Sequence, residues 1–251
     1  MKLCVLDHQG KSDYLRARLL EHGHSLGTVS DCDVLLIDQE WSDGPRATIR
    51  AVHDRGGYVI CYGHGMPPLQ ASHGRRGGNE YVDAMLVPTA AHAALYEWCG
   101  ERRMIVCGWH YCATVAPVFE PVPGPLVFAP IHTHSGGYEW QWQEAANART
   151  LAQLPEDVTV SDAPEGRRVD EALAVIDAAR VVVASGTFAY LAVARGRPTV
   201  FFGQNGDTMP FPLDMSDWPI EEPWAYREPV AAWRGAMIGP PFDPSCLDFL
   251  A

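Results

Sequence analysis

Apolar runs a few residues long recur along this chain, each closed by a polar or glycine-bearing turn, and most are followed by a segment with apolar positions three and four apart. Lys2–Asp7, Asp33–Asp38 (DVLLID), Gly57–Tyr62 (GYVICY), Asp83–Val87 and Met104–Cys107 read as strands. Asp13–His22, Gly44–Arg55 and Thr89–Cys99 read as helices, and His64–Glu80 is a polar, glycine-rich loop. The segment Ala116–Pro125 (APVFEPVPGP) holds four prolines and a glycine and fits neither helix nor central strand, so it reads as an interdomain linker. The alternation then restarts. Leu126–Ala129, Val158–Val160, Val181–Ala184 and Thr199–Phe202 are predicted strands, with helices around Tyr138–Leu154, Val169–Ala179 and Phe188–Arg195. Continuous β-branched runs, where strict alternation would mark a half-exposed sheet, predict strands covered on both faces, as in a parallel sheet. The expected fold is α/β, with two tandem Rossmann-like domains at 1–118 and 119–251 and a cleft between them that the strand C-terminal ends face. The Pro- and Trp-rich tail, Asp207–Ala251, is expected to wrap back over one domain, with one helical patch near Pro229–Trp233.

Composition narrows the class without naming a chemistry. With 251 residues, 47% hydrophobic and 20% charged, the chain has the make-up of a globular protein large enough for two small domains. No apolar run approaches the ~18 residues needed to span a bilayer. The start, MKLCVLDHQG, enters a strand pattern at once and lacks the apolar core of a signal peptide, so a cytoplasmic location is expected. Seven cysteines without a CxxC pair predict reduced thiols, buried at Cys4, Cys61 and Cys107. The formal net charge of -12 argues against a general polyanion binder. The first 118 residues carry 11 basic and 13 acidic side chains and the rest 8 and 18, so the excess acid lies in the second half.

Four turns carry candidate chemistry. Ser185, Gly186 and Thr187 link a strand end to a helix start, where free backbone N–H groups and the helix dipole favour an anion such as phosphate. The plain alternative is that Ser185 only caps the helix. Pro130–Gly137 (PIHTHSGG), with His132, Ser135 and Gly136, sits in the matching position after the first strand of the second half. Two such turns on one domain suit the two phosphates of a diphosphate, held by main-chain and neutral donors without a metal. His64, between two glycines in Cys61–Pro67 (CYGHGMP), is the candidate general base, with a side chain that titrates near neutrality. His110, in Gly108–Cys112 (GWHYC), ends the last strand before the linker, where Trp109 and Tyr111 suggest an aromatic wall. Arg75 and Arg76 lie in a loop compatible with an anionic acceptor or with plain solvation.

Other motifs fail. Asp31-Cys32-Asp33 precedes its strand instead of following it, GxGxxG and GxxxxGK[ST] are missing, and there is no GxSxG elbow. His132-x-His134 with His110-x-Cys112 lacks a closed four-ligand spacing, so no metal is expected.

The run VVVASGTFAYLAVARGRPTVFF resembles the donor-site segment of GT-B-type glycosyltransferases and of their relatives, the UDP-N-acetylglucosamine 2-epimerases and CDP-glycerol glycerophosphotransferases. The pattern is a hydrophobic strand, Ser-Gly, a helix, Gly-x-Pro and a second strand. YGHGMP, MLVPTAAHAALYEWCGERRMIVCG and LVFAPIHTH follow in the family's order, so the resemblance touches most of 57–203. It implies a metal-independent transfer of a sugar, or a similar group, from a nucleotide diphosphate to an acceptor hydroxyl, with the nucleotide sugar as co-substrate and no further cofactor. Carried over, Ser185, Gly186 and Thr187 contact the donor phosphates with His132, Ser135 and Gly136 nearby, and Ser161–Gly166 lies near the base. His64 deprotonates the acceptor, and Arg75, Arg76 and His110 lie on the acceptor side. One departure stands out. Many GT-B enzymes place a ribose-binding glutamate in the helix after the phosphate turn, where this chain has Phe188-Ala-Tyr-Leu-Ala. The alternatives are a nucleotide-sugar epimerase or hydrolase, and a non-catalytic α/β binding module.

Overall fold

The structure, a computed structural model, describes residues 1–7, 12–38, 43–62, 80–95, 103–110, 115–120, 122–130, 139–161, 169–184, 186–201, 231, 234–235 and 237–250. The chain forms two compact units, Met1–Thr114 with Ala236–Ala251, and Val115–Gly235. This differs from a single cut at 118, because the end of the chain returns to the first unit.

The first unit is built on a parallel sheet with strand order β2-β1-β3-β4-β5-β6. Its strands are β1 (Lys2–Leu6), β2 (Ser25–Leu26), β3 (Val34–Ile37), β4 (Tyr58–Cys61), β5 (Ala84–Val87) and β6 (Arg103–Val106). The helices are α1 (Asp13–Glu21), α2 (Asp43–Asp54) and α3 (Ala90–Leu95). Helix α1 buries Leu15 and Leu19, one turn apart, as an amphipathic surface helix does. Period-two side-chain alternation splits the strands between two apolar layers. Leu3, Val5, Leu36, Ile60 and Leu86 pack with α1 and with Phe242 and Leu247 of the C-terminal segment. Cys4, Leu35, Ile37, Val59 and Met85 pack with Ile49 and Val52 of α2 on the other face. Coverage on both faces is why these strands read as unbroken apolar runs.

The C-terminal segment is part of this core. Residues 240–243 run beside the end of β6: Trp109 donates its N–H to the Pro240 carbonyl, Phe242 to that of Trp109 and Asp243 to that of Cys107. A 3-10 helix, Pro244–Leu250, follows. Phe242 and Leu247 are 1% and 0% exposed, and burial of each contributes about 2 kcal/mol. The sequence reading anticipated a tail that wraps back, without the 3-10 helix and without the two-residue edge strand β2.

The second unit has strand order β10-β9-β7-β8, again all parallel. Its elements are β7 (Leu126–Ala129), α4 (Glu139–Leu151), β8 (Thr159–Val160), α5 (Val169–Ala178), β9 (Val181–Ala184), α6 (Gly186–Arg195) and β10 (Thr199–Phe201). Ala189 through Ala194 are all buried, so α6 is an interior helix packed against α5. Residues 115–120 of the expected linker are strapped to this unit. The Val118 N–H bonds to the Arg195 carbonyl at 2.7 Å, and buried Arg197 donates to the carbonyls of Val118 and Glu120. Both sheets are thus Rossmann-like, and no described helix is long and apolar enough to cross a membrane.

Candidate functional site

In an open parallel sheet, ligands bind beyond the strand C-terminal ends where the strand order reverses. In the first unit that reversal lies between β1 and β3, which pair with Leu6 opposite Ile37. The residue after each strand is an acid, Asp7 and Asp38, and Asp38 is fully buried. Asp7 accepts the N–H of Ser12 at the entrance of α1, and Arg16 donates to the Ser12 hydroxyl and to the Val5 carbonyl. Tyr62, just past β4, reaches back under this pair and donates its hydroxyl to the Leu6 carbonyl at 3.2 Å. Burial, followed by the charges of Asp7 and Asp38, pushes its phenol far above the usual range. Tyr62 is therefore a fixed neutral donor, and a base role for it is excluded.

The polar row continues along the same sheet edge. The rings of Tyr62 and His110 meet edge to face at 6.0 Å, and the His110 Nε2–H donates to the Tyr62 carbonyl at 2.6 Å. The other His110 nitrogen lies 3.8 Å from Cys107 Sγ. Thr89 follows β5 and caps α3: its hydroxyl accepts the His92 N–H at 3.3 Å and lies 2.9 Å from His92 Nδ1. The Thr89 hydroxyl thus ties the His92 ring to the first turn of the helix it caps. Burial, with His110 as a lesser cause, lowers the His92 pKa to about 3, so the ring is neutral near pH 7.

In the second unit the reversal lies between β7 and β9, with Ala129 opposite Ala184. The two strands therefore end side by side, at Ala129 and Ala184. Helix α6 begins at Gly186, two residues earlier than expected, has no acidic side chain in its first turn, and carries a half-buried Thr187.

Of the residues singled out from sequence, Gly186, Thr187 and His110 are described. His64, Arg75, Arg76, His132, Ser135, Gly136 and Ser185 lie outside the described residues. His110 is 4% exposed, and the Trp109 ring, expected to line a wall, is also buried. What the sequence reading passed over is the row Asp7, Asp38, Tyr62, Thr89 and His92. The available signal was positional, since Asp7, Asp38 and Tyr62 each follow an apolar strand run directly, and Thr89 comes two residues after one.

No family model and no curated protein matches this chain. Among solved structures, the GtfA/B complex bound to UDP and GlcNAc is similar at 12% identity and TM-score 0.38, over 92% of this chain and 58% of that one. LsrB from Clostridium saccharobutylicum in complex with AI-2 is similar at 9% identity and TM-score 0.30, over 80% and 70%. The 3-dehydroquinate dehydratase from Aquifex aeolicus VF5 gives 11% identity and TM-score 0.20, over 94% and 97%. All three scores fall below those of a shared fold. The chain spans little more than half the length of the GtfA/B chain it matches.

Proposed function

We propose that this chain is a metal-independent glycosyltransferase of the GT-B type, taking a sugar or similar group from a nucleotide diphosphate to an acceptor hydroxyl. The observation that carries the reading is the register of β7 and β9. With Ala129 opposite Ala184, the turns PIHTHSGG and SGT start from adjacent strand ends at the point where the sheet order reverses, the place phosphates occupy in such sheets. The acid-free first turn of α6 keeps its positive end available to an anion. In this reading Ser185, Gly186 and Thr187 hold the donor phosphates, and His132, Ser135 and Gly136 complete the cradle. His64 removes the acceptor proton, and Arg75 and Arg76 face the acceptor. His110 is a positioning residue: through the Tyr62 carbonyl it fixes the root of the loop that carries His64, two residues on.

Calorimetry with UDP, CDP, GDP and dTDP tests the donor site. Binding of one of them, weakened about tenfold or more in Ser185→Ala/Thr187→Ala, is the expected result. Equal binding in that double variant, or no binding to any of the four, refutes the phosphate site. Transfer assays then test His64, whose replacement by alanine should abolish transfer and leave nucleotide affinity unchanged.

One observation favours a second reading, a non-catalytic binding module. The stretch Phe188-Ala-Tyr-Leu-Ala lacks the ribose-binding acid, and Tyr190 within it is fully buried. Nucleotide binding without transfer to any acceptor, and without turnover of the donor alone, selects that module; turnover of the donor alone selects an epimerase or hydrolase.

A further inference from the structure

The end of α1 and the C-terminal 3-10 helix bring together three side chains that no part of the proposed transfer uses. Helix α1 stops at His22. Gly23 then takes φ +94, a conformation that L side chains rarely adopt, and its N–H and that of His24 bond back to the carbonyls of Leu20 and Leu19. This turn puts His22 and His24 on one side, with ring centroids 5.2 Å apart. The third residue comes from the far end of the chain: Asp248 Oδ1 lies 3.1 Å from His22 Nε2. Each of the three offers a ligand atom within 4.8 Å of the others.

His24 supplies a second, independent sign. Its Nε2 is buried and has no hydrogen-bond partner. An imidazole nitrogen with no hydrogen-bond partner is free to offer its lone pair to an ion. A buried nitrogen left without a partner costs stability, and an ion removes that cost.

We infer that His22, His24 and Asp248 form a site for a divalent transition metal ion, Zn²⁺ foremost, that fastens the C-terminal segment to the end of α1. Two imidazoles and one carboxylate suit zinc, with water in the fourth position. Ligands about 2.1 Å from the ion stand about 3.4 Å apart in a tetrahedron, so from separations within 4.8 Å no pair has to close by more than about 1.4 Å. His22 and Asp248 are already within that separation. Sequence spacing hid the site, because its third ligand lies 226 positions from the first.

The test uses the untagged full chain, stripped with EDTA and titrated with ZnCl₂ by calorimetry, with hydrogen exchange read over 244–250. One ion per chain, binding weakened about tenfold or more in both His24→Gln and Asp248→Asn, and Zn²⁺-dependent protection of 244–250 lost in both, is the expected result. Asp248 is exposed and His24 half-buried, and circular dichroism confirms that both variants fold. Zn²⁺ affinity unchanged in the two variants, or protection of 244–250 that ignores Zn²⁺, overturns the site.

Discussion

His92 provides a direct test of how the first unit is put together. Its ring is fully buried, and burial, with His110 adding to it, lowers its pKa from 6.5 to about 3. The unfolded chain takes up a proton near pH 6.5 that the folded chain refuses until about pH 3. Stability from this group is thus fully present above pH 6.5 and is lost as pH falls toward 3. The loss is about 1.4 kcal/mol per pH unit, hence roughly 2.7 kcal/mol by pH 4.5, against ~5–15 kcal/mol for a typical domain. Burial also lowers the His24 pKa, which acts in the same window, so the measurement must be differential. Asp31, held to about 2 by Lys2 and Thr28, acts only below its ordinary 3.8. Urea unfolding at several pH values between 4.5 and 7.5 in wild type and His92→Asn isolates the term. Asparagine still presents an acceptor to the Thr89 hydroxyl but does not titrate. Wild type should show about one proton more in its pH slope between 4.5 and 6, and its His92 ring signals should not titrate above pH 5. Equal slopes, or a His92 NMR midpoint within about one unit of 6.5, would refute the buried neutral ring.

Two further substitutions probe the segments that complete each unit. Gly108 has φ +79, and a Cβ there would lie 2.4 Å from the Pro241 carbonyl oxygen. Gly108→Ala should therefore displace the C-terminal segment and cost about 3 kcal/mol in urea unfolding. Gly44→Ala, in α2 with nothing within 4 Å, should be neutral or slightly stabilising, and equal effects of the two would sink the argument. Arg197→Met removes the donors to the Val118, Glu120 and Asp177 carbonyls, with an expected cost of about 3 kcal/mol and loss of amide protection over 115–120. A loss below about 1 kcal/mol would mean that the strap is held by other contacts.

The strands and most helices were legible in the sequence, because a parallel strand covered on both faces must be apolar throughout and the helices between must be amphipathic. Lys2–Asp7 became β1 (Lys2–Leu6), and Leu126–Ala129 and Val181–Ala184 matched to the residue. The step from β9 into α6 was legible for the same local reason: a strand ending in small residues that runs straight into a helix shows in a few consecutive letters. Nothing local could announce that Phe242 and Leu247 fill the first unit's core, or that β7 lies beside β9 with β8 at the edge. Those are pairings over long separations, decided by which apolar faces remain uncovered once neighbouring elements have packed. Tyr62 lies in a strand end that reads like any other, and only the approach of β1 makes its hydroxyl a fixed donor to Leu6. The chain's pattern sets what each segment becomes; the meeting of distant segments sets which polar groups are stripped of water, and with that their charge and chemistry.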